Sequence, residues 1–158
     1  MKGLVAVLVV VLGACAGQED EPVNHPPFIA GASPGEGEIV TFGADGPREV
    51  AVTVGDEDVR DNLFVRFLVD YPSSTDPSRL VYQLQMQGTG TVVRPPIRLL
   101  PSCQALGIGS GVHRLMLSVS DRPFLDALAG DSVDPEAPLD SVPFTAIRVR
   151  AVWLLNCP

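Results

Sequence analysis

After Pro27, apolar and polar residues alternate with a period of two along most of the chain. Val50, Val52 and Val54 fall on one face of Glu49–Val54. Leu63, Val65, Phe67 and Val69 share a face opposite Arg66 and Asp70. Leu80, Tyr82, Leu84 and Met86 alternate with Gln83, Gln85 and Gln87. His113, Leu115, Leu117 and Val119 alternate with Arg114, Ser118 and Ser120, and Ile147, Val149, Ala151 and Trp153 with Arg148 and Arg150. Side chains of a strand point alternately to its two faces, so these segments predict half-buried antiparallel strands. Shorter strands are expected near Phe28–Ala30, Ile39–Phe42 and Val92–Leu99, the last at an edge or bulge because of Pro95-Pro96. Gly and Pro punctuate the gaps at Ser33-Pro34-Gly35, Gly46-Pro47, Gly88-Thr89-Gly90 and Gly109-Ser110-Gly111. About seven short strands with turns between them predict an all-β, two-sheet sandwich. The helical signal is confined to single turns near Ser102–Leu106 and Phe124–Ala129, and the connection Arg122–Pro143 is unusually long.

The amino terminus breaks this pattern. Lys2 precedes an unbroken apolar run, Leu4–Leu12, followed by Gly13, Ala14 and Cys15. The run is too short to span a bilayer and has the flanks of an export signal. Leu12-Gly13-Ala14-Cys15 resembles the bacterial lipobox, which implies a signal peptide over 1–14, cleavage before Cys15, and acylation (palmitate or similar chains) of that cysteine. Residues 15–27, with Glu19-Asp20-Glu21-Pro22, read as a polar tether, and 28–158 as the folded domain. Ala16 stands where enteric bacteria place Asp to retain a lipoprotein at the inner membrane, so the resemblance implies the outer membrane, on its periplasmic or surface face.

Charge narrows the partners. The chain carries a net −8, with 11 basic against 19 acidic residues. Lys2 is the sole lysine, so the mature chain is more acidic still. Phosphate backbones and anionic lipids require a basic footprint that is missing here. Nucleic acid is therefore excluded, and membrane attachment falls to the acyl chains, of which stable anchoring needs more than one. Beyond Cys15 the cysteines are Cys103 and Cys157. In an exported chain an even pair predicts a disulfide, here closing a loop of 54 residues.

Three segments resemble bacterial Ig-like modules of the PKD and cadherin-like type. They are Asn24-His25-Pro26-Pro27-Phe28-Ile29; Val52-Thr53-Val54-Gly55-Asp56-Glu57-Asp58 followed by Leu63-Phe64-Val65-Arg66-Phe67; and Gly111-Val112-His113-Arg114-Leu115-Met116-Leu117-Ser118-Val119-Ser120-Asp121. The resemblance implies an Ig-like fold with Phe67 in the place of a buried tryptophan. The long connection after Asp121 and the cysteine pair depart from it. A shared fold carries little information about function.

Candidate chemistry is sparse. In a sandwich the turn holding Asp56, Glu57, Asp58 and Asp61 lies at the same end as Asp121 and the acids of the long connection, Asp126, Asp131, Asp134, Glu136 and Asp140. Converging carboxylates suit calcium, which makes Asp56, Asp58, Asp61 and Asp121 the candidate metal ligands; a solvated acidic turn is the competing reading. His113 falls on the apolar face as a packing residue, opposite to Ser118 and Ser120, so no Ser-His pair forms locally. Trp153 and Tyr82 have inward parity and read as core, whereas Tyr71 is undecided. Arg66, Arg114, Arg148 and Arg150 read as an outward ladder with acids, or as a partner surface if left unpaired. No nucleophile, base and orienting group come together in sequence, so no catalytic residues are assigned. The expected function is a non-enzymatic binding or structural module, tethered to the membrane and partnered by another envelope protein. The alternative is a calcium- or glycan-binding adhesion module.

Overall fold

β7 (Gly111–Ser120) and β8 (Arg148–Cys157) organise the molecule. They pair antiparallel along their whole length, from Gly111 opposite Cys157 to Ser120 opposite Arg148. Period-two alternation puts Leu115, Leu117 and Val119 of β7 beside Trp153, Ala151 and Val149 of β8 on one face. That face is the core. The computed structural model describes residues 23–42, 48–71, 80–125 and 138–158. Cys15, residues 1–14 (expected to be a signal peptide), the acids Asp126, Asp131, Asp134 and Glu136, and most of the helical turn expected at Phe124–Ala129 lie outside them.

The remaining strands are β1 (Phe28–Ser33), β2 (Ile39–Thr41), β3 (Val50–Gly55), β4 (Leu63–Val69), β5 (Leu80–Met86) and β6 (Ile97–Leu99). They form a five-stranded sheet ordered β2-β8-β7-β4-β5 and a three-stranded sheet ordered β1-β3-β6. The described residues contain no α-helix, and the turn expected at Ser102–Leu106 is a hydrogen-bonded turn. Between the sheets Val50, Val52, Val54, Leu63, Val65, Phe67, Leu117, Trp153 and Leu155 are wholly buried. Each removes a large apolar side chain from water, a gain of roughly 1.5–3 kcal/mol apiece for the larger ones. Trp153 also donates its indole N–H to the Pro34 carbonyl at 2.9 Å.

Several expectations change. β2 runs parallel to β8, not antiparallel, with Ile39 opposite Leu154. A register shift at Phe67/Leu68 sets Leu80 against Leu68 on the outer face of the sheet, so the inward stripe of β5 does not begin at Leu80. Tyr82 leans on Phe67 with ring centroids 6.3 Å apart but remains 40% exposed, on the edge strand of the larger sheet. β6 shrinks to three residues at the other sheet's edge, beyond Pro95-Pro96. The sulfurs of Cys103 and Cys157 are 2.02 Å apart, which joins the turn after β6 to the end of β8.

A third layer covers part of the outer face of the larger sheet. Leu139 packs on Leu68, Tyr71 and Met116, with Leu80 and Val152 at the rim. The connection that carries it leaves and re-enters the fold at one point: Asp121 N–H donates to the Ile147 carbonyl at 3.3 Å, and Ile147 N–H to Asp121 Oδ1 at 2.9 Å. Leu125 N–H to the Ser141 carbonyl, 2.8 Å, ties its two arms together further out.

Candidate functional site

Three constellations hold the polar chemistry. The first is the acidic end. The β3–β4 turn is held from beneath by Arg94, almost fully buried, whose guanidinium donates to the carbonyls of Val59 (3.1 Å), Asp61 (3.1 Å) and Thr91 and to the Thr89 hydroxyl (3.1 Å). This clamp packs the β3–β4 turn against the β5–β6 connection so closely that a Cβ at Gly88 would lie 2.0 Å from the Arg60 carbonyl oxygen. Sequence parity carried no sign of it: Arg94 falls within the strand expected over Val92–Leu99 but ahead of the observed β6.

The four candidate metal ligands are held apart on this frame. Asp56 is wholly buried; its Oδ1 accepts the Asp58 N–H at 2.8 Å, and its Oδ2 has no partner. Burial raises its pKa above the usual carboxylate value. Asp58 accepts the His25 backbone N–H at 2.6 Å and faces the His25 ring at 3.2 Å. Those bonds hold the Asp58 pKa below its ordinary value, and the same ring–carboxylate bond raises that of His25. Asp61 meets Arg122 at 3.2 Å. Asp121 accepts the Asn24 amide at 2.5 Å and the Ile147 N–H. Among the described residues no group of three His, Cys, Asp or Glu side chains is placed to hold a metal ion. Carboxylates need to converge on one point for calcium; here Asp58, Asp61 and Asp121 are each directed at a different partner. A cleft of about 400 Å³ lined by Val23, Asn24, Glu57, Asp58, Arg60, Asp61 and Arg122 lies beside them. Asn24 and His25 also show that the chain docks on the domain ahead of Phe28, where the sequence pattern placed the end of the tether.

The second constellation is a His–carboxylate pair. His113 lies on the inner face opposite Leu155, as parity places it, and its ring is also held by polar contacts: its Nδ1 lies 2.7 Å from Asp70 Oδ2, and its Nε2 lies 3.0 Å from the Gly109 carbonyl oxygen. Asp70, at a left-handed φ of 52°, turns its carboxylate back to accept the Arg114 N–H at 2.9 Å as well. A general base needs one nitrogen facing a nucleophile. Here the nitrogen that Asp70 would orient against is directed at a backbone carbonyl, so the pair fastens the β4 end to β7.

The third is the outer-face cluster under the Leu139 segment. Tyr71 is buried and donates its hydroxyl to Asp140 Oδ1 at 2.6 Å. Arg148 lies 3.1 Å from Asp140 Oδ2 and donates to the Asp140 carbonyl, and Arg150 pairs with the same carboxylate. Arg66, almost fully buried, bonds Gln83 at 2.9 Å and the Leu139 carbonyl, and its guanidinium carbon stands 4.3 Å above the centre of the Phe124 ring. Arg114 donates to the Tyr71 carbonyl. Of the arginine stripe read from the sequence, Arg148 and Arg150 share one acid from the long connection, while Arg66 and Arg114 bond Gln83 and backbone carbonyls. Asp140 was visible in sequence only as one of five acids there; its pairing depends on how the connection folds back. Burial, followed by the bond to Asp140, pushes the Tyr71 pKa up to about 12.

Comparison with protein-family models, with curated proteins and with solved structures finds no match to this chain.

Proposed function

We propose that the chain is a lipid-anchored protein of a bacterial envelope, attached through an acylated Cys15, whose Ig-like domain serves as a non-enzymatic binding or structural module for another envelope protein. The observation that carries this reading is the run from Lys2 through Leu4–Leu12 to Gly13-Ala14-Cys15, standing directly ahead of a disulfide-bridged β-domain. The bridge fits an oxidising compartment. The sheet orders β1-β3-β6 and β2-β8-β7-β4-β5 favour the Ig-like arrangement, including a short strand parallel to the last one. The engaged ring nitrogens of His113 favour binding over catalysis. A calcium-dependent adhesion module is the weaker reading, since Asp58 and Asp61 would have to leave His25 and Arg122 to ligate an ion. Fractionation tests the anchor. Wild-type protein should remain with membranes through a carbonate wash, and Cys15→Ser should be released while keeping its fold; a Cys15→Ser chain still in the membrane fraction contradicts the proposal.

A further inference from the structure

Phe144 is the most exposed large apolar residue described, at 104% of its reference area. It projects from a tight turn closed by the Ala146 N–H to the Pro143 carbonyl at 2.9 Å. The position of that turn matters more than its exposure. One carboxylate, Asp121, binds both the Asn24 side chain, at 2.5 Å through Oδ2, and the Ile147 backbone N–H, at 2.9 Å through Oδ1. The chain's entry into the domain and the Phe144 turn are therefore fastened to the same residue, at the same end of the sandwich. Val23, next to Asn24, is itself 72% exposed.

We infer that this end faces the bilayer, and that Phe144, assisted by Val23, is a membrane-contact residue. The inference rests on the proposed anchor at Cys15. From an acylated Cys15 to Asn24 is nine residues, a reach of about 30 Å at full extension. The end of the domain carrying Phe144 is thus never far from the lipid surface, whereas the opposite end can be a domain length away. A fully exposed aromatic gains by entering the boundary between headgroups and acyl chains, where apolar side chains settle roughly 5–10 Å deep. At this end Glu57, Asp58 and Asp61 outnumber Arg60 and Arg122, so the surface it suits is zwitterionic, and anionic lipid should weaken the contact.

The test uses the full chain reconstituted in phosphatidylcholine vesicles, as wild type, Cys15→Ser, Phe144→Trp and the double variant. Flotation with the vesicles reports the anchor, and quenching by lipids brominated near the headgroup reports the contact. Trp153 is wholly buried and supplies a constant background measured in the wild type. In vesicle-bound Phe144→Trp the added emission should shift to the blue and fall in brominated vesicles, with less loss when anionic lipid is included. Emission that stays red and open to an aqueous quencher while the chain floats overturns the inference and leaves the anchor intact. A blue shift without bromolipid quenching overturns it in favour of contact between protein molecules. If Cys15→Ser floats as well as wild type, the anchor reading fails, and quenching in the double variant still decides the role of Phe144. A wild type that does not float overturns both.

Discussion

Replacing Asp140 by Ala should detach the Leu139 segment from the outer face of the larger sheet. The side chain of Asp140 is 4% exposed and serves Tyr71, Arg148 and Arg150 together. The largest loss is at Tyr71, whose buried hydroxyl is left without an acceptor, costing about 1–3 kcal/mol. Arg148 and Arg150 keep 30% and 44% of their side chains in water, so their unpaired charges remain hydrated. Each of those pairs contributes on the order of 0.2–1 kcal/mol. The expected destabilisation is therefore about 1.4–5 kcal/mol, a large share of the roughly 5–15 kcal/mol that holds a typical domain. Asp140→Asn keeps an acceptor for Tyr71 and should cost about 1 kcal/mol, the worth of the lost charge. Urea unfolding is the assay, with the midpoint falling and the slope unchanged. Alkaline titration of tyrosine absorbance gives a second reading. The Tyr71 pKa stands at about 12 in the folded chain against an ordinary 10.0. A raised phenol pKa contributes stability that is complete below pH 10 and is lost as pH rises toward 12, because the unfolded chain ionises first. In Asp140→Ala the Tyr71 titration should move down while burial keeps it above the ordinary value. An Asp140→Ala protein within about 0.5 kcal/mol of wild type, the range of ordinary surface changes, would refute the reasoning.

Removing the bridge with Cys103→Ser and Cys157→Ser should cost up to about 4 kcal/mol, from the loop entropy of the 54-residue closure, read as a lower urea midpoint. The His25–Asp58 contact should be strongest between the ordinary values of Asp, 3.8, and His, 6.5: the raised His25 pKa means its contribution fades as pH rises through it, and the lowered Asp58 pKa means its contribution fades as pH falls through it. An NMR titration placing the His25 ring at or below its ordinary pKa contradicts the contact. Gly88→Ala should destabilise by roughly 2–4 kcal/mol, since a backbone carbonyl, not a yielding side-chain tip, occupies the space of the new Cβ; a stable Gly88→Ala protein would show that the Arg94-clamped loops are not packed as described. The melting temperature in millimolar calcium should match that in chelator, because Asp58, Asp61 and Asp121 are each bound elsewhere; a rise with calcium would restore the metal reading.

The long strands were legible because period two is a property of the residues themselves. Leu63–Val69 and Leu80–Met86 agree with the sequence expectation at both ends. The parallel pairing of β2 was not legible, since three residues carry too little pattern to fix a direction. Tyr82 followed the inward parity of its strand and yet is exposed, because parity specifies a face and not whether the strand lies at a sheet's edge. Parity placed His113 on the inner face but gave no sign of Asp70, which captures its ring from 43 residues away, just beyond the end of β4, at a left-handed backbone position no local rule foresaw. The outer-face cap was hidden for the same reason. Arg66, Tyr71 and Asp140 are separated by up to 74 positions, and only the folded connection brings them together. Of the acids expected together at one end, Asp58, Asp61 and Asp121 bind His25, Arg122 and Asn24 individually, whereas Asp140 lies instead in the outer-face cluster with Tyr71, Arg148 and Arg150.

The central claim, a chain held to an envelope by Cys15, is tested most directly by mass spectrometry of the protein purified from native membranes. The account predicts an amino-terminal peptide that begins at Cys15 and carries the mass of acyl chains, together with a disulfide-linked peptide joining Cys103 to Cys157. Recovery of Met1–Ala14 joined to an unmodified Cys15, or of a mature chain that begins beyond Cys15, would contradict it.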